Sequence, residues 1–193
     1  MAKMRWFLRE TTVGRESLAV SMTSVRAGER VLQVGVNDPA IAHAIANKTG
    51  LTGLAIVVVP NDALAERMRG YSADDASAAE VRIEPLDRLP FDDHTYDVVV
   101  VHNTEGLLPG LDANLRERAV RDWLRVLRVG GRMIVFDPGK PTGMRGLLSG
   151  GSPRQAGGAG GDTPSTLQSA GLGSVRVLGD REGYRFIEGV RPR

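Results

Sequence analysis

The chain alternates short apolar runs with stretches in which apolar residues recur at helical spacing. The clearest run is Asp97–His102, which contains four consecutive valines, and Gly53–Val59 is apolar throughout. A strand exposed on one face alternates apolar and polar residues, so continuous apolar strands indicate a parallel sheet that helices cover on both faces. The alternation therefore predicts an α/β domain with a mostly parallel sheet.

Glycine, proline and capping residues divide the rest of the chain into elements. The predicted helices are Arg15–Val25, Asp38–Gly50, Asn61–Gly70, Asp112–Gly130 and Thr163–Gly171. The further predicted strands are Arg30–Gly35, Glu80–Glu84, Arg132–Phe136, Ser174–Leu178 and Tyr184–Glu188, of which the last two form a hairpin. Residues 146–162 are rich in glycine, serine and proline and are predicted to be a flexible loop. We expect one domain over residues 15–193, preceded by an extension at residues 1–14.

The composition excludes several classes of site and partner. The chain has no cysteine, which excludes disulfides, thiolate metal sites and a cysteine nucleophile. Its three histidines have no acidic residues at ligand spacing, so we expect no metal. The net charge is +2 without a basic block, so neither nucleic acid nor a membrane is expected as a partner. No membrane span or signal peptide is recognisable, and a cytoplasmic location is expected.

The first strand, turn and helix, VLQVGVNDPAIAHAIA (residues 31–46), form the predicted ligand site. In an open parallel sheet, ligands bind beyond the carboxyl ends of the strands, where the strand order reverses. Gly35 allows a sharp turn or a close backbone approach, and the helix that follows offers free N–H groups at its start. An ordinary loop between a strand and a helix also carries a glycine and a cap, so the turn alone leaves the ligand open.

Two common nucleotide-binding patterns are absent from this turn. The G-x-G-x-x-G pattern needs a second glycine where the chain has Asn37, and an acid after the second strand where the chain has Val59-Pro60-Asn61. A Walker-type phosphate loop is absent as well. These absences argue against an NAD-dependent enzyme.

Three segments together resemble the class I S-adenosylmethionine-dependent methyltransferases, especially those of type 11. VLQVGVNDP resembles the family's V-L-D-V-G-x-G-x-G, and LDRLPFDDHTYDVVVVHN resembles its L-P-F-x-D-x-x-F/Y-D-x-V. WLRVLRVGGRMIVFDP resembles its R-V-L-K-P-G-G motif and the strand that follows. The resemblance runs from about residue 15 to residue 188. It implies a Rossmann-like, doubly wound sheet of seven strands, mostly parallel with an antiparallel last strand, and helices on both faces.

The resemblance also implies S-adenosylmethionine as the cofactor and names the residues around it. The positions that match the family's cofactor site are Gln33, Gly35, Val36, Asn37, Val59, Pro60, Asn61, Leu86, Asp87 and His102. Several of them depart from the family's usual residues. Gln33 replaces an acid in the first strand, Asn37 replaces the second glycine, and Val59 stands where an acid usually binds both ribose hydroxyls. Gly35 is the family residue that this turn retains.

Methyl transfer from a sulfonium depends chiefly on alignment of the nucleophile with the methyl group, and a base helps only if the acceptor loses a proton. Candidate catalytic residues should follow the fourth strand, where the chain has His102, Asn103 and Glu105. The favoured hypothesis is methyl transfer to a small molecule. The alternative is a non-catalytic methyltransferase-fold module that has lost the cofactor and binds a protein partner or a second copy of itself. A different nucleotide-type ligand in the same cleft is a third possibility.

Overall fold

The structure is a computed structural model that describes residues 18–36, 38–71, 79–139, 162–181 and 183–193. The helices are α1 (residues 18–23), α2 (Pro39–Lys48), α3 (Asp62–Arg69), α4 (Leu107–Gly110), α5 (Ala113–Val126) and α6 (Thr163–Ser169). The strands are β1 (Arg30–Val34), β2 (Leu54–Val59), β3 (Ala79–Ile83), β4 (Tyr96–His102), β5 (Leu127–Pro138), β6 (Gly173–Arg181) and β7 (Tyr184–Val190). The predicted extension at residues 1–14 and the predicted loop up to residue 161 lie outside the described residues.

The seven strands form one sheet in the order β3-β2-β1-β4-β5-β7-β6. The pairs from β3 to β5 are parallel, whereas β7 lies antiparallel between β5 and β6. The prediction of a mostly parallel sheet with an antiparallel last strand is therefore confirmed. The strand order reverses between β1 and β4, and in open parallel sheets ligands bind beyond the carboxyl ends of the strands at such a reversal.

The four valines of β4 show how both faces of the sheet are covered. Val98 and Val100 pack in a cluster with residues of α1 and α2, whereas Val99 and Val101 pack in a cluster with residues of α5 and α6. All four side chains are fully buried. Because neither face meets water, every position of the strand can be apolar, as the sequence predicted. Within the described residues, no helix is both long and apolar enough to span a membrane.

The boundary between α5 and β5 differs from the prediction. The sequence predicted a helix that continues to Gly130, but α5 ends at Val126 and β5 begins at Leu127. The Nη1 group of Arg191 donates to the carbonyl oxygens of Leu124 (2.6 Å), Arg125 (2.8 Å) and Leu127 (2.6 Å). A residue after the last strand thus satisfies the carbonyl groups that the end of a helix leaves without partners.

We expect Arg191→Met to lower the free energy of unfolding by about 2 kcal/mol, because the end of α5 loses a charged donor. Chemical denaturation followed by circular dichroism measures this change. Arg193→Met is the matched control, since it removes the same charge from an exposed residue two positions away. Equal stability of the two variants would contradict the capping role.

Candidate functional site

The turn after β1 is fixed by the left-handed conformation of Gly35 and by close contacts with neighbouring elements. Gly35 has φ +72°, a left-handed conformation that side chains rarely adopt, and its N–H donates to the carbonyl of Val58 at 2.8 Å. A Cβ atom on Gly35 would lie 3.1 Å from Leu107 Cδ2 and 3.4 Å from the carbonyl oxygen of His102. The turn therefore needs glycine for both its conformation and its close approach to β4 and α4.

A cavity of about 300 Å³ opens beside this turn at the carboxyl ends of β1 and β4. Its lining residues are Gly35, Val36, Leu64, His102, Glu105, Gly106, Leu107, Gly110 and Leu111. The walls are largely apolar, the one ionised side chain among them is the carboxylate of Glu105, and none is a lysine or arginine. This volume lies at the lower end of the range for ligand sites. The cavity lies beside the turn for which the sequence predicted a ligand.

Gln33 and His102 form a buried hydrogen-bonded pair behind this cavity. The Nε2 group of Gln33 donates to the carbonyl oxygen of Ala42 in α2 at 2.8 Å, and Nε2 of His102 lies 3.0 Å from Oε1 of Gln33. Gln33 is fully buried and His102 is 2% exposed. The predicted cofactor residue Gln33 therefore reaches the cavity through His102, not directly.

Burial lowers the pKa of His102 to about 4, because the imidazolium would lose its water. Its ring also makes an edge contact with Phe136, with centroids 5.4 Å apart. His102 is consequently neutral near pH 7, with one ring nitrogen protonated and the other able to accept a hydrogen bond. A group with so low a pKa suits the role of hydrogen-bond acceptor better than that of general base near neutral pH.

The side chain of Asn103 is hydrogen-bonded within the protein through both its nitrogen and its oxygen. Its Nδ2 donates to Asp137 Oδ1 at 2.6 Å, and its Oδ1 accepts from the backbone N–H of Leu108 at 2.6 Å. The residue is 2% exposed and does not line the cavity. Its observed contacts tie β5 to the start of α4, whose Leu107 forms a cavity wall.

Glu105 lies at the mouth of the cavity. Its carboxylate is 3.6 Å from the guanidinium of Arg67 on α3, and both side chains are largely exposed. An exposed ion pair of this kind contributes at most about 1 kcal/mol. The pair links α3 to the loop after β4, and Glu105 is the one acidic residue among the cavity residues.

The predicted ribose-binding residues occupy the end of β2. Val59 is fully buried in a cluster with residues of α2 and α3, whereas Pro60 and Asn61 are exposed. Asn61 caps α3, since its Oδ1 accepts from the N–H of Leu64 at 3.0 Å. None of the three is among the cavity residues, and Asn37 lies outside the described residues.

The predicted adenine-binding residues follow β3. Leu86 is buried, and its carbonyl oxygen accepts a hydrogen bond from Trp123 Nε1 at 2.8 Å. Asp87 is partly exposed and forms an ion pair with Arg118 at 3.1 Å. Trp123 and Arg118 both belong to α5, so this helix positions the loop. Leu86 and Asp87 do not line the cavity beside Gly35.

Sequence reasoning missed the apolar walls of the cavity. Leu107 and Leu111 come from α4 and the residue after it, and Leu64 comes from α3. Four residues are too few for a helical apolar pattern, so α4 gave no periodic signal. The sequence signals that mark this segment are the breakers Gly106 before the helix and Pro109-Gly110 at its end.

The comparisons with known proteins agree with this architecture. The family model described as "Methyltransferase domain", of type 11, matches residues 32–135. The ubiquinone/menaquinone biosynthesis C-methyltransferase UbiE of Idiomarina loihiensis is 30% identical over 125 residues, which cover 64% of this chain and 48% of that protein. Its counterpart in Ectopseudomonas mendocina is 32% identical over 124 residues, which cover 63% of this chain and 46% of that protein. The chain thus matches about half the length of these curated relatives.

A solved structure with the same fold is a SAM-dependent methyltransferase from Aquifex aeolicus. It superimposes with a TM-score of 0.68 at 15% sequence identity, over 91% of this chain and 88% of that chain. This likeness supports the fold, and the family match covers more than half of the chain and includes most of β1, the whole of β4 and the turn at Gly35. The chain belongs to the methyltransferase domain family.

Proposed function

We propose that the protein binds S-adenosylmethionine beside Gly35 and transfers its methyl group to a small molecule. The observation that carries this proposal is the close approach of the Gly35 turn to His102 and Leu107, next to a cavity at the reversal of strand order. Family membership supports the reaction class. The UbiE relatives are named for ubiquinone and menaquinone biosynthesis, which supports a small molecule as the methyl acceptor.

The cavity residues fit the methionine end of this cofactor. A Cβ atom at Gly35 would lie 3.1 Å from Leu107 Cδ2, so a side chain at this position would crowd a wall of the cavity. The walls pair apolar side chains with one carboxylate and a neutral imidazole, and they bring no positive charge against a sulfonium. The end of β2 contributes less to cofactor binding, because Val59 is buried and offers no hydrogen-bond acceptor to a ribose.

Methyl transfer requires mainly that the protein bind its two ligands and align the acceptor with the methyl group. When bound, S-adenosylmethionine supplies a methyl group on a sulfonium sulfur. In our proposal Leu64, Leu107 and Leu111 exclude water from the cavity, and Glu105 provides negative charge. The proposal assigns no general base, since His102 has a low pKa and Asn103 is bonded within the fold.

We expect S-adenosylhomocysteine to bind the purified protein saturably in isothermal titration calorimetry, and Gly35→Ala to weaken this binding by about tenfold. The added methyl group would displace the Leu107 wall or the backbone of β4. Gly130→Ala is the matched control, because Gly130 has the same φ of +72° but nothing within 4 Å of a Cβ atom. Both variants carry the same backbone strain, so the difference between their affinities measures the effect of crowding at Leu107 and His102 alone.

Equal binding by the two glycine variants would contradict the placement of the cofactor at this turn. If neither S-adenosylmethionine nor S-adenosylhomocysteine binds at millimolar concentration, the methyltransferase proposal is wrong. The alternative of a non-catalytic module would then be favoured.

The two forms of the cofactor differ by one charge, which permits a test of Glu105. We expect Glu105→Gln to weaken binding of the cationic S-adenosylmethionine about fivefold more than binding of the neutral thioether S-adenosylhomocysteine, since the charge interaction at a partly solvated site amounts to about 1 kcal/mol. Glu117→Gln is the control, because Glu117 also forms an exposed ion pair, with Arg121 at 2.6 Å, but lies outside the cavity. Equal loss for both ligands would show that Glu105 does not sense the sulfonium charge.

A further inference from the structure

The hydrogen bonds of Gln33 dictate which nitrogen of His102 carries the proton. A backbone carbonyl can only accept, so the amide nitrogen of Gln33 must face Ala42. The amide oxygen of Gln33 therefore faces His102, and His102 must donate to it through Nε2–H. In a neutral imidazole the lone pair then lies on Nδ1. This nitrogen has no hydrogen-bond partner within the part of the chain that the structure describes.

His102 is also a residue of the cavity wall. Its Nε2 is directed to Gln33 and its ring makes a T-shaped contact with the apolar Phe136, so Nδ1 is the polar atom of the ring that remains for a ligand. A hydrogen-bond acceptor in a largely apolar wall selects a ligand group that donates, such as an ammonium or a hydroxyl group. An imidazolium would present a donor and a positive charge at the same place.

We propose that His102 Nδ1 accepts a hydrogen bond from a donor group of the ligand in the cavity, and that Gln33 is the positioning residue that keeps this nitrogen unprotonated. The inference rests on the proposed function, because it assumes that the cavity holds a ligand of the S-adenosylmethionine type. The inference also explains why glutamine replaces the family's usual acid at position 33. A carboxylate there would stabilise the charged imidazolium of His102.

The carboxylates nearest to His102 in the chain are bonded to other groups, so burial and the contact with Gln33 determine whether its ring is protonated. On β1 it meets the neutral Gln33, and on β5 it meets the ring of Phe136. Asp137 is hydrogen-bonded to Asn103, and Glu105 is paired with Arg67. Burial is the cause of the low pKa of His102, which is about 4. Ligand binding through Nδ1 is therefore fully available above the pKa and is lost as the pH falls through it.

Gln33→Glu tests the positioning role through the pH dependence of binding. A carboxylate beside the ring raises the pKa of His102, so more of the ring is protonated near neutral pH. We expect binding of S-adenosylhomocysteine to be about tenfold weaker than in the wild type at pH 6 and to recover toward pH 8, whereas wild-type binding stays constant over this range. Gln33→Met is the control, because it removes the hydrogen bonds without adding a charge and should weaken binding without this pH dependence.

Nuclear magnetic resonance of the wild type provides a second test that needs no variant in the cleft. The chain has three histidines, so a sample labelled with ¹⁵N-histidine gives few imidazole signals. His94→Asn assigns one set, since asparagine tolerates the φ of +58° at that turn, and His43→Gln assigns another. We expect His102 to be neutral with Nε2 protonated, and its Nδ1 signal to move when S-adenosylhomocysteine is added.

The outcomes separate this inference from the proposed function. If calorimetry detects binding but the Nδ1 signal stays unchanged at saturation, the acceptor role of His102 is wrong and the proposed function stands. Protonation of Nδ1 in the free protein, or a pH-independent loss in Gln33→Glu, also overturns the inference. If S-adenosylhomocysteine does not bind at all, both fall together.

Discussion

The close approach of three chain segments at Gly35 determines the shape of the cleft. The N–H of Gly35 is bonded to Val58 in β2, while its Cα faces the backbone of His102 in β4 and the side chain of Leu107 in α4. The turn is therefore fixed on both sides of β1. A side chain at Gly35 would be strained in the left-handed conformation and would crowd Leu107. The cavity walls on β4, α3 and α4 surround that fixed point.

The elements of the fold were predictable wherever local signals and burial agree. The consecutive valines of β4 predicted a strand covered on both faces, and Asp38 and Asp112 predicted the starts of α2 and α5, where each side chain caps its helix. The end of α5 was not predictable from its own residues. Arg191 terminates the helix from the far end of the chain, and such a tertiary contact leaves no trace in local sequence.

The site was only partly predictable for a related reason. Gly35 and His102 were expected at the ends of the first and fourth strands, and both line the cavity. The pairing of Gln33 with His102 depends on the register of two strands, in which Gln33 lies beside Val100, two residues before His102. Sequence alone marks Gln33 as a departure from the family's acid, but only the register reveals what the amide contacts. Asn103 shows the reverse case, since the sequence made it a candidate catalytic residue and its observed contacts are with Asp137 and Leu108.

The departures from the family's residues form a consistent electrostatic arrangement when they are considered together. Val59 packs with Val36, Ala42, Ala65 and Met68, so an acid introduced there would place a carboxylate in an apolar cluster at a cost of several kcal/mol. The end of β2 thus serves to pack the sheet against α2 and α3.

The polar groups that line the cavity, His102 and Glu105, both belong to β4 and the loop that follows it. A neutral acceptor and an exposed carboxylate on that side suit a ligand that carries donors and positive charge, and they need no acid on β1 or β2. The loss of the usual acids is therefore compatible with a cleft whose recognition groups lie mainly on the β4 side.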